Sequence, residues 1–202
     1  MKRLFFALML LALQMTFTHT AAQTAKQVLD KCAAVVSSKN GVSAHFTMTS
    51  AQYGNTSGDI AVKGRMFRAS TSVAKMWFDG KTLWTYMNKN DEVNVTTPSE
   101  SQLQVLNPYN FINMYKTGFS YTMTKSSGSY RVHLTAKDAK RRVQEMFITI
   151  DQKSYHPTEV KLLQKSKWTT FTISHLKKDK LTDAQFRFNS KDFPSAEVID
   201  LR

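Results

Sequence analysis

The chain of 202 residues has little cysteine, proline, glycine or acid. Its one cysteine, Cys32, excludes an internal disulfide, so packing alone must hold the fold. It has only 4 prolines and 7 glycines, and 15 acidic residues stand against 28 Lys and Arg. The formal charge of +13 makes a cationic partner unfavourable and favours nucleic acid, phospholipid head groups or an acidic protein surface.

Long apolar runs are also lacking, with one short exception at the start. Residues 4–13 are apolar and follow Lys2 and Arg3. Ten residues are too few to span a bilayer, which needs about 20, but they suit a secretory signal. The small residues at 20–22 place the cut after Ala22, and no cysteine follows directly for lipid attachment. We therefore expect a single soluble domain, 23–202, outside the cytoplasm.

The positive charge persists after the signal is removed, since +13 minus Lys2 and Arg3 leaves +11. Export argues against a nucleic-acid partner. The densest basic clusters, 137–142 and 177–180, also fall where loops are expected rather than along one element. Two interpretations stay open: a solvated surface that gives solubility, and attraction to a membrane face.

A single amphipathic helix is predicted over 24–37. Thr24 is a candidate N-cap, with Gln27 three residues later as in a capping box. Apolar residues recur on one stripe, and Asn40-Gly41 stops the helix. The stripe consists of Val28, Leu29, Cys32, Val35 and Val36. Cys32 is thus expected to be a small core residue rather than a reactive thiol.

After Gly41 the apolar residues alternate with polar ones, which is typical of strands. Tight turns separate the runs; Asp79-Gly80 is a strong hairpin signal. We expect about eleven antiparallel strands in a mainly β (α+β) fold, and a sheet of that size tends to curl and so has a concave face. The predicted strands are 42–49, 60–69, 73–78, 82–87, 92–97, 119–124, 130–135, 143–150, 158–164, 168–175 and 184–188.

The segment 99–115 interrupts this pattern with apolar residues at helical spacing. Asn107-Pro108 inside it resembles an N-cap followed by proline at the first helical position. We therefore predict two short helices with a break at this point.

No catalytic or metal-binding pattern stands out. The histidines of the mature chain (His45, His133, His156 and His175) are isolated, and there is no H-E-x-x-H or G-x-S-x-G sequence. We predict no enzyme activity and no cofactor. What is abundant is Met and Phe, 10 and 13 residues, which suits a cavity for flexible apolar ligands as well as an ordinary core.

Several motifs, in order, resemble the LolA family of periplasmic lipoprotein carriers. Residues 79–86 read DGKTLWTY, and GDIAVK precedes them at 58–63. NPYNFI at 107–112 resembles the start of the family's lid helix, and FITI at 147–150 one of its strands. DAQFRF at 183–188 and VIDLR at 198–202 resemble the end of the family's sequence.

The resemblance implies an incomplete antiparallel barrel with lid helices over its open concave side, and a hydrophobic interior that shelters lipoprotein acyl chains. The implied partners are acylated lipoproteins, an inner-membrane lipoprotein-releasing transporter and an outer-membrane acceptor. We expect a monomer in the periplasm that binds no nucleic acid. The cavity residues assigned on this basis are Phe46, Met48, Phe67, Met76, Phe78, Trp84, Tyr86, Leu103, Leu106, Tyr109, Phe111 and Ile112.

One departure concerns the latch. The family carries an Arg, usually followed by Pro, directly after the Val-Lys of its second strand, and this Arg bonds to the lid. Here Lys63 is followed by Gly64 and then Arg65, which makes Arg65 the candidate latch. An alternative function on the same fold is a sensor domain that binds lipid or peptide and reports envelope stress.

Overall fold

The computed structural model describes residues 23–106 and 114–202. The predicted signal with its cut after Ala22, and the predicted helix start at Asn107-Pro108, lie outside these ranges. None of the helices within the described ranges is both long and apolar enough to cross a membrane.

The first helix, α1, spans Ala25–Val36 and begins as its sequence predicts. The Gln27 amide donates to Thr24 Oγ1 at 3.2 Å, and the Thr24 amide donates to Gln27 Oε1 at 2.9 Å. This reciprocal capping box satisfies two amides that the helix itself leaves free. Val35, which was predicted in the buried stripe, is only half-buried, whereas Ala33, which was not predicted there, is buried. The buried face comprises Val28, Leu29, Cys32, Ala33 and Val36.

Twelve strands form one open sheet, which is not closed into a barrel. Their order is β12-β6-β5-β4-β3-β2-β1-β11-β10-β9-β8-β7, and every neighbouring pair is antiparallel except β12 with β6. A second helix, α2, spans Glu100–Leu106 between β6 and β7. The strands are β1 Val42–Ser50, β2 Gly54–Lys63, β3 Met66–Thr71, β4 Ala74–Phe78, β5 Leu83–Met87, β6 Glu92–Thr96, β7 Phe119–Ser126, β8 Ser129–Ala136, β9 Glu145–Asp151, β10 Pro157–Gln164, β11 Lys167–Lys178 and β12 Glu197–Asp200.

The predicted strand 60–69 is in fact two strands. The chain turns at Gly64, whose φ of 59° suits glycine, and β3 returns beside β2. The glycine-rich stretch 54–58 is not a turn but the start of β2. Gly58 is needed there because a Cβ would lie 2.0 Å from the backbone oxygen of Ser70 on β3.

The predicted strand 184–188 was wrong. Residues Asp183–Phe186 form a 3₁₀ helix, with Phe186 fully buried. The alternating Phe186 and Phe188 imitate a strand, but Phe186 packs in a small core with Ala61 whereas Phe188 packs on Trp77. The twelfth strand lies further on, at Glu197–Asp200, and it pairs in parallel with β6.

The two faces of the sheet are covered by different parts of the chain. The inner face carries the main core, which α1 joins with its buried stripe. The Tyr130 hydroxyl donates to Gln23 Oε1 at 3.0 Å, and Lys31 Nζ donates to the Tyr155 hydroxyl at 3.2 Å, so α1 is tied to the half made by β7–β11.

The C-terminal segment, residues 181–202, covers the outer face of the other half. Leu181 and Phe186 pack with Ala61 and Met66 in a small second core. Lys63 Nζ anchors the segment by donating to the Leu181 carbonyl at 2.9 Å and to Asp183 at 2.8 Å.

Candidate ligand-binding cavity

An open cavity of about 590 Å³ lies on the inner face, away from α1. Its volume falls within the ~300–1,000 Å³ typical of small-molecule sites. Strands β1 to β5, β11 and the chain from Thr96 through α2 contribute to its walls. The lining residues are Phe46, Met48, Tyr53, Asn55, Thr56, Ile60, Ala69, Thr71, Ser72, Val73, Ala74, Met76, Leu83, Thr96, Thr97, Pro98, Gln102, Leu106, Arg142, Thr169 and Phe171.

The floor of this cavity is apolar because alternate residues of the strands point inward. Met48 lies directly opposite Phe171 on β11, and Met76 lies opposite Ala69 on β3. The Phe46 and Phe171 ring centroids are 6.5 Å apart. Met48 and Met76 are only partly buried, so their flexible side chains can adjust to a ligand.

Four of the twelve predicted cavity residues line this cavity: Phe46, Met48, Met76 and Leu106. Three others lie next to it in the core. Phe67 and Phe78 are 1% and 2% exposed, with ring centroids 5.4 Å apart. Leu103 is also buried in the core.

Trp84 and Tyr86 lie on the outer face instead. Tyr86 packs against Phe193 with the rings tilted by 49° and their centroids 4.6 Å apart, and its hydroxyl donates to Asp91 at 2.9 Å. Trp84 pairs across the strands with Trp77, whose ring packs edge-on against Phe193 at 5.5 Å. Both therefore lie on the face that the C-terminal segment covers, so the residues of β5 alone did not show which of them face the cavity. Tyr109, Phe111 and Ile112 lie outside the described residues.

Other lining residues were missed by the sequence interpretation. Ile60, Ala69, Leu83 and Phe171 continue the apolar floor on strands β2, β3, β5 and β11. Ala69, Leu83 and Phe171 each pair with a predicted residue on the neighbouring strand, and Ile60 pairs with Ala69, so the pairing of strands was the missing information. The polar residues at one end of the cavity had no signal in the sequence.

Helix α2 lies over the cavity as a lid. Leu103 anchors it in the core, while Gln102 and Leu106 face the cavity. Ser99 precedes the helix, and its amide is paired with Gln102 Oε1 at 2.8 Å.

Arg65, the candidate latch, reaches this lid. Its guanidinium forms an ion pair with Glu100, the first residue of α2. The pair joins the β2–β3 turn to the lid through two side chains. Both are largely exposed, with 63% of the Arg65 side chain and 75% of the Glu100 side chain open to solvent. Such an exposed pair contributes ~0–1 kcal/mol, so it can hold the lid only weakly.

The chemically reactive groups of the described chain are kept away from the cavity. Cys32 is fully buried in α1, and burial raises the pKa of its thiol to about 12. His45 and His133 pair with Asp59 and Glu145 outside it. Within residues 23–106 and 114–202, no three His, Cys, Asp or Glu side chains lie close enough together to hold a metal ion.

The family model described as outer membrane lipoprotein carrier protein LolA matches residues 14–166. The chain belongs to the LolA family. The match covers α1, α2, strands β1 to β10 and most of the cavity wall. It includes the motifs at 58–63, 79–86, 107–112 and 147–150, whereas those at 183–188 and 198–202 lie outside it. No curated protein sequence matches this LolA-family chain.

Several solved structures are similar to this chain at low sequence identity, and the first of the following shares its fold. An uncharacterised conserved protein from Thermus thermophilus is 13% identical with a TM-score of 0.58, and the alignment covers 88% of this chain and 99% of that one. A LolA superfamily protein from Nitrosomonas europaea is 12% identical with a TM-score of 0.46, over 83% and 99% of the two chains. The MucA/MucB complex from Pseudomonas aeruginosa is 12% identical with a TM-score of 0.40, over 81% and 60%.

Proposed function

We propose that this LolA-family protein is a periplasmic carrier that shelters the acyl chains of lipoproteins in its cavity and moves them from the inner to the outer membrane. The observation that carries the proposal is the apolar cavity of about 590 Å³ under α2, floored by Phe46, Met48, Met76 and Phe171. The proposed partners are acylated lipoproteins, a transporter that releases them and an acceptor that receives them.

The energetics suit such a cargo. Each methylene group transferred from water to an apolar site contributes about 0.8 kcal/mol, so a single long acyl chain gains roughly 10 kcal/mol. No covalent step is needed, because the carrier only has to keep the chains out of water. Met48 and Met76 allow the site to accept chains of different length.

Release of the cargo demands that the form with α2 closed over the cavity be only slightly more stable than the form with α2 open. The exposed Arg65–Glu100 pair meets this need, since it holds the start of α2 without the energy of a buried contact. A ligand that enters beneath α2 shifts the lid towards the open form by its differential affinity for that form. Opening thus follows from cargo binding, and closing from its departure.

The test is a release assay with inner-membrane spheroplasts and the purified protein. The wild type is expected to bring lipoprotein into the supernatant as a soluble one-to-one complex. Met48→Glu places a charge on the cavity floor and should abolish the release. Thr47→Glu is the matched control, because Thr47 is the exposed neighbour of Met48 on β1 and faces away from the cavity.

Absence of lipoprotein from the wild-type supernatant would reject the carrier function. Equal loss in Met48→Glu and Thr47→Glu would show that the cavity is not the binding site. Complex formation without transfer to outer membranes would instead indicate a sensor domain on the same fold, which binds its ligand and keeps it.

A further inference from the structure

One group of polar side chains lines the cavity at one end of the sheet, apart from Thr96, Thr97 and Gln102 near α2. In the register, Ser50 at the end of β1 is opposite Gly54 and Thr169, so the β1–β2 and β10–β11 turns lie at that end. The β8–β9 loop, residues 137–144, lies there too, since the Gln144 amide donates to the Leu163 carbonyl at 3.0 Å. We call this end the polar rim. Its cavity-lining members are Tyr53, Asn55, Thr56, Arg142 and Thr169.

Arg142 is the single charged residue among the cavity-lining side chains in the described chain. It is exposed, and it forms no ion pair with any residue of 23–106 and 114–202. The adjacent Arg141 differs, because its guanidinium lies 5.0 Å above the Phe119 ring and is engaged in packing. Arg142 therefore presents an uncommitted cation at the polar rim.

The surroundings of Arg142 reinforce this positive charge. The β8–β9 loop also carries Lys137 and Lys140 against one acid, Asp138, and Lys165 and Lys167 flank the neighbouring β10–β11 turn. No carboxylate lines the described cavity that could neutralise a cationic ligand.

Thr56 adds a hydroxyl that lacks a partner. Its Oγ1 atom is buried at the cavity wall, and no described residue hydrogen-bonds to it. A buried polar group without a partner is destabilising, and rotation of the Thr56 side chain to bring its hydroxyl to a ligand oxygen would remove that cost. Thr56 lies opposite Met48, so this hydroxyl marks the border between the polar rim and the apolar floor.

We propose that the polar rim binds the anionic head group of an acyl ligand, a phosphate or a carboxylate, while the chain lies on the apolar floor. The proposal rests on the acyl-chain cavity of the proposed function and adds a preference for acidic amphiphiles. Arg142 donates charge-assisted hydrogen bonds to the oxyanion, for which the planar guanidinium is well suited. The polarity of the cavity thereby orients the ligand, with its head at the β8–β9 loop and its tail towards Met76 and Leu83.

The test measures binding of three amphiphiles with one sixteen-carbon chain each, below their micellar concentrations: lysophosphatidylglycerol, palmitate and monopalmitoylglycerol. The first carries a phosphate, the second a carboxylate and the third a neutral head. Both anions are expected to bind about fivefold more tightly than the neutral lipid, and the difference should shrink with salt. If only one of the two anions binds more tightly than the neutral lipid, its head group, phosphate or carboxylate, is the one that the polar rim recognises.

Arg142→Gln should remove the anion preference and leave monopalmitoylglycerol binding unchanged, while Arg142→Lys should retain part of the preference. Arg131→Gln is the control for net charge, because Arg131 is exposed on the outer face and lies over Phe147 at 4.6 Å. It should leave the preference in place.

Equal affinity for all three lipids would overturn the head-group site but leave the acyl cavity standing. Equal loss of anion binding in Arg142→Gln and Arg131→Gln would also overturn it, because the overall field and not the rim would then select the ligand. Failure of all three lipids to bind would overturn both the rim site and the acyl cavity.

Discussion

The two halves of the sheet carry their covering segments on opposite faces. In the half made by β7–β11, α1 packs on the inner face. The outer face carries a row of three rings, in which the centroids of His133 and Phe147 are 4.2 Å apart and those of Phe147 and Trp168 are 5.7 Å apart. In the half made by β2–β6, the C-terminal segment packs on the outer face, and part of the inner face stays open as the cavity.

This difference explains how a stable sheet can have an open apolar cavity. A strand pair needs one well-packed face to be stable, and the open half obtains it from Trp77, Tyr86, Phe188 and Phe193 behind the cavity. The inner face of that half is thus free to remain partly exposed. The open cavity in this half is thus compatible with a stable sheet because the C-terminal segment packs behind it.

The largest expected contrast is in cysteine reactivity between the two halves. Cys32 lies on α1 in the filled half, and its pKa is raised by burial from an ordinary 9.0 to about 12. Near pH 8 the thiolate population is then lower by about a thousandfold, since each pKa unit is a factor of ten. A Met48→Cys, Cys32→Ser double variant should label rapidly with a thiol reagent, whereas wild type should label only on unfolding. Fast native labelling of Cys32 would break the contrast.

Core truncation should also separate the halves. Leu134 is 0% exposed beneath α1, and Leu134→Ala is expected to lower the free energy of unfolding by about 3 kcal/mol. Met76→Ala, on the partly open cavity floor, should cost about 1 kcal/mol because little packing is lost. Urea unfolding followed by tryptophan fluorescence measures both. Equal losses would mean that the two inner faces are packed alike.

The outer cover of the open half is tested by Phe193→Ala. This ring contacts Trp77, Tyr86 and Phe188 and lies 5.1 Å beneath Lys75 Nζ. Its removal should cost about 2 kcal/mol, given ~0.5–1.5 kcal/mol for each aromatic pair. Phe147→Ala is the control on the outer face of the other half, and it should cost less because Phe147 has two ring partners, His133 and Trp168, instead of three. The reverse order would show that the C-terminal segment contributes little stability.

The smallest effect on stability is expected at the latch. Arg65→Leu removes one partner of an exposed ion pair and should change the free energy of unfolding by less than about 1 kcal/mol. Transfer of lipoprotein to outer membranes should slow by at most about fivefold, the factor that about 1 kcal/mol in the lid equilibrium represents, and Glu100→Gln should reproduce that defect. Unchanged transfer in both variants would show that the lid closes by other contacts.

Local patterns predicted the elements well where a single segment decides its own conformation. The capping box of Thr24 and Gln27 and the alternation in β1 are such cases. Prediction failed where contacts with residues distant in the sequence determine the conformation of a segment. Residues 184–188 alternate like a strand, yet Phe186 is drawn into a pocket formed with Ala61 and Leu181, and the chain bends to reach it.

The candidate site was predicted in part for the same reason. Phe46, Met48 and Met76 line the cavity. The alternation of apolar and polar residues along their strands shows that they face inward. Trp84 and Tyr86 lie on β5, where apolar residues occupy both faces, because Leu83 faces the cavity and the two aromatic rings face outward. A strand that is buried on both faces lacks the alternation of apolar and polar residues, so its sequence does not show which residues face the cavity.

The amino-acid sequence by itself determined the family, the β-rich class, the first helix and its cap, and a basic chain without disulfides, because these follow from composition and from contacts a few residues apart. The tertiary structure alone decided which half of the sheet stays open, which strand face lines the cavity and that Arg142 and Thr56 line the same cavity at its rim. Those features depend on segments that meet only after folding, such as residues 181–202 behind β2–β6 and α1 on the inner face of β7–β11.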